Sequence, residues 1–241
     1  MTKDFEIHEE VTLAATPEQV WESIATGDGL AAWFQPADIR PDSAMVVDWK
    51  PTARLVTQMP GADPETTHRF EWIVDKHDDG TRLRFVHSGV ERDDWDETFT
   101  AQGWAMYLAT LREYLAHFAG RPATYLEAEG PPSSADPDAW RTLLDAVGLV
   151  EPVQLGDEIH IDLAQVDPAQ VAAIAGTLDY VTPHFVGLRS GDALIRFHGR
   201  APVGLPVAVS HHDYRGDIDA TATTRAWEAW LGDVFAGRRA R

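Results

Sequence analysis

Two stretches of the chain carry large apolar residues at helical spacing, each led by tryptophan and each following a run of strand-like alternation. Trp104, Tyr107, Leu108, Leu111, Leu115 and Phe118 fall at i, i+3, i+4, i+7, i+11 and i+14, the footprint of one helix face. Trp227, Trp230, Leu231, Val234 and Phe235 repeat the pattern near the C-terminus. The spacing predicts one closing helix over 99–118 and a second over 223–235. Before the first of these, Thr16, Pro17 and Gln19 form a capping box with proline at the first helical position. Val20, Trp21 and Ile24 then supply a buried face, Gly27–Gly29 breaks the helix, and a short helical piece ends at Trp33 and Phe34. Strand patterns follow over 45–49, 54–58, 68–74 and 81–87, the last two joined by the turn residues Asp78, Asp79 and Gly80.

The second half opens with a strand pattern over 124–128. Asp136 and Pro137 then echo the earlier cap, with Trp140, Leu143, Leu144 and Val147 as the buried stripe. A short helical pattern begins at Asp167 and Pro168 and runs through Val171 and Ile174, and strands are expected over 178–181, 185–188, 193–197 and 205–211. Alternation puts Leu83, Phe85 and His87 on one strand face, and Phe70 and Trp72 on the matching face of the neighbouring strand with His68. Leu205, Val207, Val209 and His211 likewise share a face, so His211 takes the place in the second half that His87 takes in the first. The expected fold class is α+β: two units, 1–120 and 121–241, each a curved antiparallel sheet wrapped around a long C-terminal helix. Such a grip commonly encloses a small-molecule cavity.

Charge narrows the partners. The 241 residues hold 20 Lys and Arg against 39 Asp and Glu, a formal charge of -19, which repels a nucleic-acid backbone or an anionic membrane. The absence of cysteine excludes disulfides, thiolate catalysis and cysteine-ligated metal. No run reaches the length of a membrane span, and the N-terminus lacks the apolar core of a signal peptide, so the expected location is the cytoplasm. No cofactor motif is present. Exposed sheet edges leave a homodimer open.

His87 and His211 are the most suggestive polar residues, because an inward imidazole in an apolar cavity can orient a ligand or shuttle a proton. The competing reading, a buried histidine bonded to its surroundings, is the commoner one. His211 and His212, with His160, His184 and His198, do not make a metal site, since adjacent strand residues point to opposite faces. Glu91, Asp93, Asp94, Asp96 and Glu97 precede the first closing helix, and Asp213, Asp217 and Asp219 the second. They read as solvated loops with favourable charge at a helix N-terminus. The expected ligand contacts are Trp33, Phe70, Trp72, Phe85, His87, Trp104, Tyr107, Leu108 and Leu111, with His211 and Trp227 in the second half. No catalytic residue and no metal ligand is assigned.

Thr16, Pro17, Glu18, Val20 and Trp21, then Leu30, Trp33 and Phe34, then Pro51, Arg54 and Leu55 occur in the order seen in one family. Gly80, Thr81, Arg82, Leu83, His87, Ser88 and Gly89 follow, then Gly103, Trp104, Met106, Leu108, Leu111, Tyr114 and Leu115. This stretch, from about Phe5 to Phe118, resembles the activator-of-Hsp90-ATPase homologue-like family of the helix-grip superfamily, which includes START domains, Bet v 1 and polyketide cyclases. The resemblance implies a sheet gripping a long helix around a cavity that often takes an apolar ligand, and no shared catalytic residue. The segment between Trp33 and Pro51 is shorter than the family's usual hairpin, which implies a smaller first sheet or a more open cavity. The second half matches only in outline, as a divergent copy. The leading function is therefore binding of a small apolar or amphipathic molecule. An enzyme of the cyclase, aromatase or hydrolase kind, using an inward histidine, comes second. A chaperone partner comes third, because family activators carry an additional N-terminal domain that has no counterpart before Thr16.

Overall fold

Every second residue along much of β1 (Thr2–Leu13) is turned inward, with Phe5, Ile7 and Leu13 buried and charged residues between them. Thr16 then caps α1 (Pro17–Ala25) in a full capping box with Gln19, and Thr26 caps the short α2 (Gly27–Ala31). Four strands follow: β2 (Val46–Lys50), β3 (Arg54–Pro60), β4 (Thr67–His77) and β5 (Gly80–Arg92). The helix α3 (Glu97–His117) closes this part, capped by Asp96. The computed structural model describes residues 1–149, 153–163 and 174–237, and the chain divides into two units, Met1–Pro122 and Ala123–Arg241.

The first unit has one antiparallel sheet in the order β1-β5-β4-β3-β2. The second begins with β6 (Thr124–Glu129) and α4 (Ala139–Ala146). Among the described residues five further strands follow: β7 (Glu158–Ile161), β8 (Ile174–Val181), β9 (Phe185–Arg189), β10 (Ala193–His198) and β11 (Ala208–Asp213). Its sheet runs β6-β11-β10-β9-β8-β7, and α5 (Ala220–Phe235), capped by Asp219, closes it. In both units the first strand pairs with the last, the remaining strands follow in descending order, and the long helix comes after the last strand. The fold is α+β with two helix-grip units.

Several elements differ from the sequence reading. β5 continues through Arg92 and β11 through Asp213, so Glu91 and Asp213 are buried strand residues and not loop acids. Leu205 lies outside β11 and is half exposed. Ile174 opens a strand; the rest of the helical pattern from Asp167 to Val171 lies outside the described residues. The strand β7 has no counterpart in the sequence reading. Asp96 and Asp219 do cap the two long helices through their carboxylates, as the charge pattern suggested.

The second core gathers Leu126, Ile195, Phe197 and Val209 from the sheet against Trp227, Trp230 and Leu231 of α5. The opposite face of β10 is buried as well, and it carries Arg196 with no exposed surface. A bulge between Leu178 and Tyr180 re-aims Asp179 toward this guanidinium, which donates to Asp179 Oδ2 at 3.1 Å and to the carbonyl of Ile195 at 2.9 Å. Gly187, opposite Arg196 in the ladder, makes the room: a Cβ there would stand 2.4 Å from Asp179 Oδ1 and 2.7 Å from Arg196 Nη1. Asp179→Ala strands a buried positive charge and is expected to lower stability by about 3–5 kcal/mol, read as a shift in the urea unfolding transition.

Candidate functional site

The inward face of the first sheet is aromatic because β4 and β5 place Phe70 and Trp72 beside Phe85 and His87 in register. Trp104, on the second turn of α3, meets this face. Its ring centroid lies 4.3 Å from Phe85, 5.7 Å from Phe70, 6.1 Å from Trp72 and 5.8 Å from His87. Phe34, beyond α2, stacks on Trp104 at 5.5 Å and meets Tyr107 edge-on at 4.6 Å. The rings that would line a cavity thus touch one another. Trp33, Phe85 and Leu111 have no exposure, and Trp72 and Leu108 little. Phe34, Phe70, Trp104 and Tyr107 are half-buried and form the accessible side of the cluster.

A chain of polar contacts runs through these rings. The Trp104 indole N–H donates to His87 Nδ1 at 3.0 Å. An indole nitrogen can only donate, so Nδ1 carries a lone pair and the neutral His87 holds its proton on Nε2. That proton is directed at His68 Nδ1, 2.9 Å away, which leaves His68 Nε2 to carry a proton of its own. His68 Nε2 lies 3.1 Å from Glu91 Oε1, and Glu91 Oε2 accepts from the Arg92 backbone N–H at 2.8 Å. Burial pushes His87 well below its ordinary value, to about 3, with repulsion from a charge on His68 adding to the shift. Both ring nitrogens of His87 are engaged.

Gly89 is required by the backbone at this point. It lies directly opposite His68 in the ladder, between His87 and Glu91 on β5. Its φ of +155° is glycine territory, and a Cβ would stand 1.9 Å from the Thr67 carbonyl oxygen. Phe5 of β1 closes the other side, 4.9 Å from His87 and 4.4 Å from Trp95.

The second unit repeats the first link. Trp227 donates to His211 Nδ1 at 3.2 Å, and both are buried. His211 Nε2 then faces Asp213 Oδ2 at 3.6 Å, with no second histidine between. Arg215 holds Asp213 through three side-chain contacts, at 3.1 Å, 3.0 Å and 2.6 Å, and these together with His211 keep its carboxyl below the usual range against the opposing effect of burial. At the equivalent cross-strand pair the sizes are exchanged: His68 opposes Gly89 in the first unit, and Ala193 opposes Asp213 in the second. His212 lies on the other face, against Tyr125. His198, also pushed down to about 3 by burial and the nearby Arg200 and Arg196, pairs with the Ser210 hydroxyl at 2.9 Å.

Sequence reasoning found His87, His211, Trp104 and Trp227, and it missed His68, Glu91 and Asp213 as partners. The signal for His68 was its shared face with Phe70 and Trp72. It also missed a groove of about 610 Å³ in the second unit, lined mainly by Trp140, Leu144, Leu149, Val153, Val181 and Pro183.

No curated protein matches the chain. Among solved structures, the Aha1 dimer from Colwellia psychrerythraea is similar at 21% identity, covering 46% of this chain and 96% of its own, with a TM-score of 0.36. CalU16 from Micromonospora echinospora is 16% identical over 48% of this chain and 87% of its own, with a TM-score of 0.37. DynU16, a protein of the dynemicin biosynthetic locus, is 15% identical over 97% of both chains, with a TM-score of 0.40. The model of the family described as Activator of Hsp90 ATPase homolog 1-like protein matches residues 14–116. The matched residues all lie within the first unit and make up less than half of the chain.

Proposed function

We propose that the first unit binds a small apolar or amphipathic molecule on the ring cluster of Phe34, Phe70, Trp104 and Tyr107. The observation that carries this reading is the cluster itself: four half-buried aromatic rings, continuous with the buried Trp72 and Phe85, on one face of a helix-grip sheet. Entry of a ligand separates rings that now touch, and its own surface replaces their contacts.

Binding is favoured over acid–base catalysis by the state of His87. A general base needs a lone pair that reaches substrate, and the lone pair of His87 is taken by the Trp104 N–H while its proton faces His68. The second unit buries its Trp227 and His211 and serves as a companion to the binding unit.

Two results test this reading. Tyr107→Ala is expected to weaken binding of 1-anilinonaphthalene-8-sulfonate by about two- to tenfold, the range for one lost aromatic contact, with the melting temperature little changed. Unchanged affinity in a folded variant overturns the choice of site.

The second test is of pH. An unfolded histidine takes up a proton near 6.5, whereas folded His87 and His198 do so only near 3. Their contribution to stability is therefore fully present above pH 6.5 and is lost as pH falls from there toward 3. The urea midpoint is expected to hold above pH 7 and to drop between 6.5 and 4, with a limiting slope of about 1.4 kcal/mol per pH unit for each histidine. His87→Asn, which keeps an acceptor for Trp104, should remove about half of that slope; an unaltered slope contradicts a neutral, buried His87.

A further inference from the structure

We infer that Glu91 and His68 are positioning residues for the Trp104 indole, acting through a proton-ordered chain that fixes the ring on the sheet. This rests on the reading of the Trp104 cluster as the ligand site, and adds two residues that do not belong to that cluster.

The order of protons in the chain has one direction. Trp104 can only give a proton to the contact and a carboxylate can only receive one, so each imidazole between them must accept on Nδ1 and carry its proton on Nε2. Reversing His68 to its Nδ1–H form sets two N–H groups against each other at the 2.9 Å contact with His87. Relieving that conflict moves the His87 proton to Nδ1, directly against the Trp104 N–H at 3.0 Å. The negative charge of Glu91, 3.1 Å from His68 Nε2, selects the working order at the far end. Glu91 is itself buried and set by the backbone N–H of Arg92, so its position is defined by the strand and not by solvent.

The chain is not a route for protons to a substrate. It ends inward on an indole nitrogen, which has no lone pair to accept one. What it does control is the angle of a ring that meets Phe34, Phe70 and Phe85, and hence the shape of the accessible aromatic surface. The second unit carries the same Trp-to-His-Nδ1 contact with a carboxylate on the far side of the histidine, at Trp227, His211 and Asp213. A contact repeated at matching places in two divergent units is a structural device of the fold.

The test uses the full chain labelled with 15N-tryptophan, the Trp104 indole resonance being assigned by its loss in Trp104→Phe. Wild type should show this N–H shifted downfield and protected from exchange. Glu91→Ala should move it upfield and raise its exchange rate at least tenfold, His68→Ala should do the same, and Glu91→Gln, which restores an oxygen beside His68, should lie closer to wild type. Affinity for 1-anilinonaphthalene-8-sulfonate should fall about fivefold in Glu91→Ala, the equivalent of one net hydrogen bond, and recover in Glu91→Gln. An indole resonance untouched by Glu91→Ala in a folded protein overturns the chain. A displaced resonance with unchanged affinity overturns its role in positioning. Wild-type protein that binds no probe fails the ligand-site reading instead, and the resonance measurement still decides whether the chain orders the indole.

Discussion

A tryptophan gripped between a helix and a sheet brings one polar atom into an apolar interior, and that N–H must find an acceptor. Leaving it unpaired costs about 1–3 kcal/mol, and the rings around Trp104 offer no conventional acceptor. The backbone of the facing strands cannot serve either, since its groups lie in the plane of the sheet and are paired there. The acceptor has to be an inward-facing side chain, and in both units it stands on the last strand. His87 and His211 meet that requirement, and the position of each long helix over its sheet is tied to it.

Satisfying the indole creates a second demand, because the histidine now has a proton on its far nitrogen. In an apolar surrounding this N–H needs a partner as much as the first did. The first unit passes the demand along to His68 and then to a buried carboxylate; the second sets a carboxylate 3.6 Å from the histidine, itself anchored by arginine. In the first unit the histidine is thereby held neutral, with both ring nitrogens occupied. The aromatic surface it supports is consequently free of unpaired polar atoms at Trp104 and His87.

Much of this was legible in the sequence. Trp104 to Phe118 announces a helix because burial of one face imposes a period near 3.6, and Thr16 to Gln19 announces a helix start because the free N–H groups need caps. The inward placement of His87 and His211 follows from strand alternation alone. What alternation does not carry is register between strands. His68 and His87 are 19 residues apart, and only the ladder that sets Phe70 opposite His87 brings them together. Glu91 and Asp213 were read as loop acids for a related reason: charge is usual in loops, and it is tolerated in a buried strand only where a partner waits across the sheet. Filling of the space beside Trp104 was likewise illegible, because the packing of rings depends on three elements at once.

The exchange of sizes at one cross-strand pair explains why the two units solve the same problem differently. On the last strand, the position two residues after the histidine points inward beside it. Where that position is Gly89, the opposing residue, His68, supplies the polar side chain, and the carboxylate stands two residues further on, at Glu91. Where it is Asp213, the carboxylate is already beside the histidine, and the opposing residue must be small, as Ala193 is. One pair of positions can hold one large polar side chain, and either strand can supply it. At 89 the backbone adds a constraint of its own, since a Cβ there would stand 1.9 Å from the Thr67 carbonyl oxygen, so the first unit takes its polar side chain from the opposing strand.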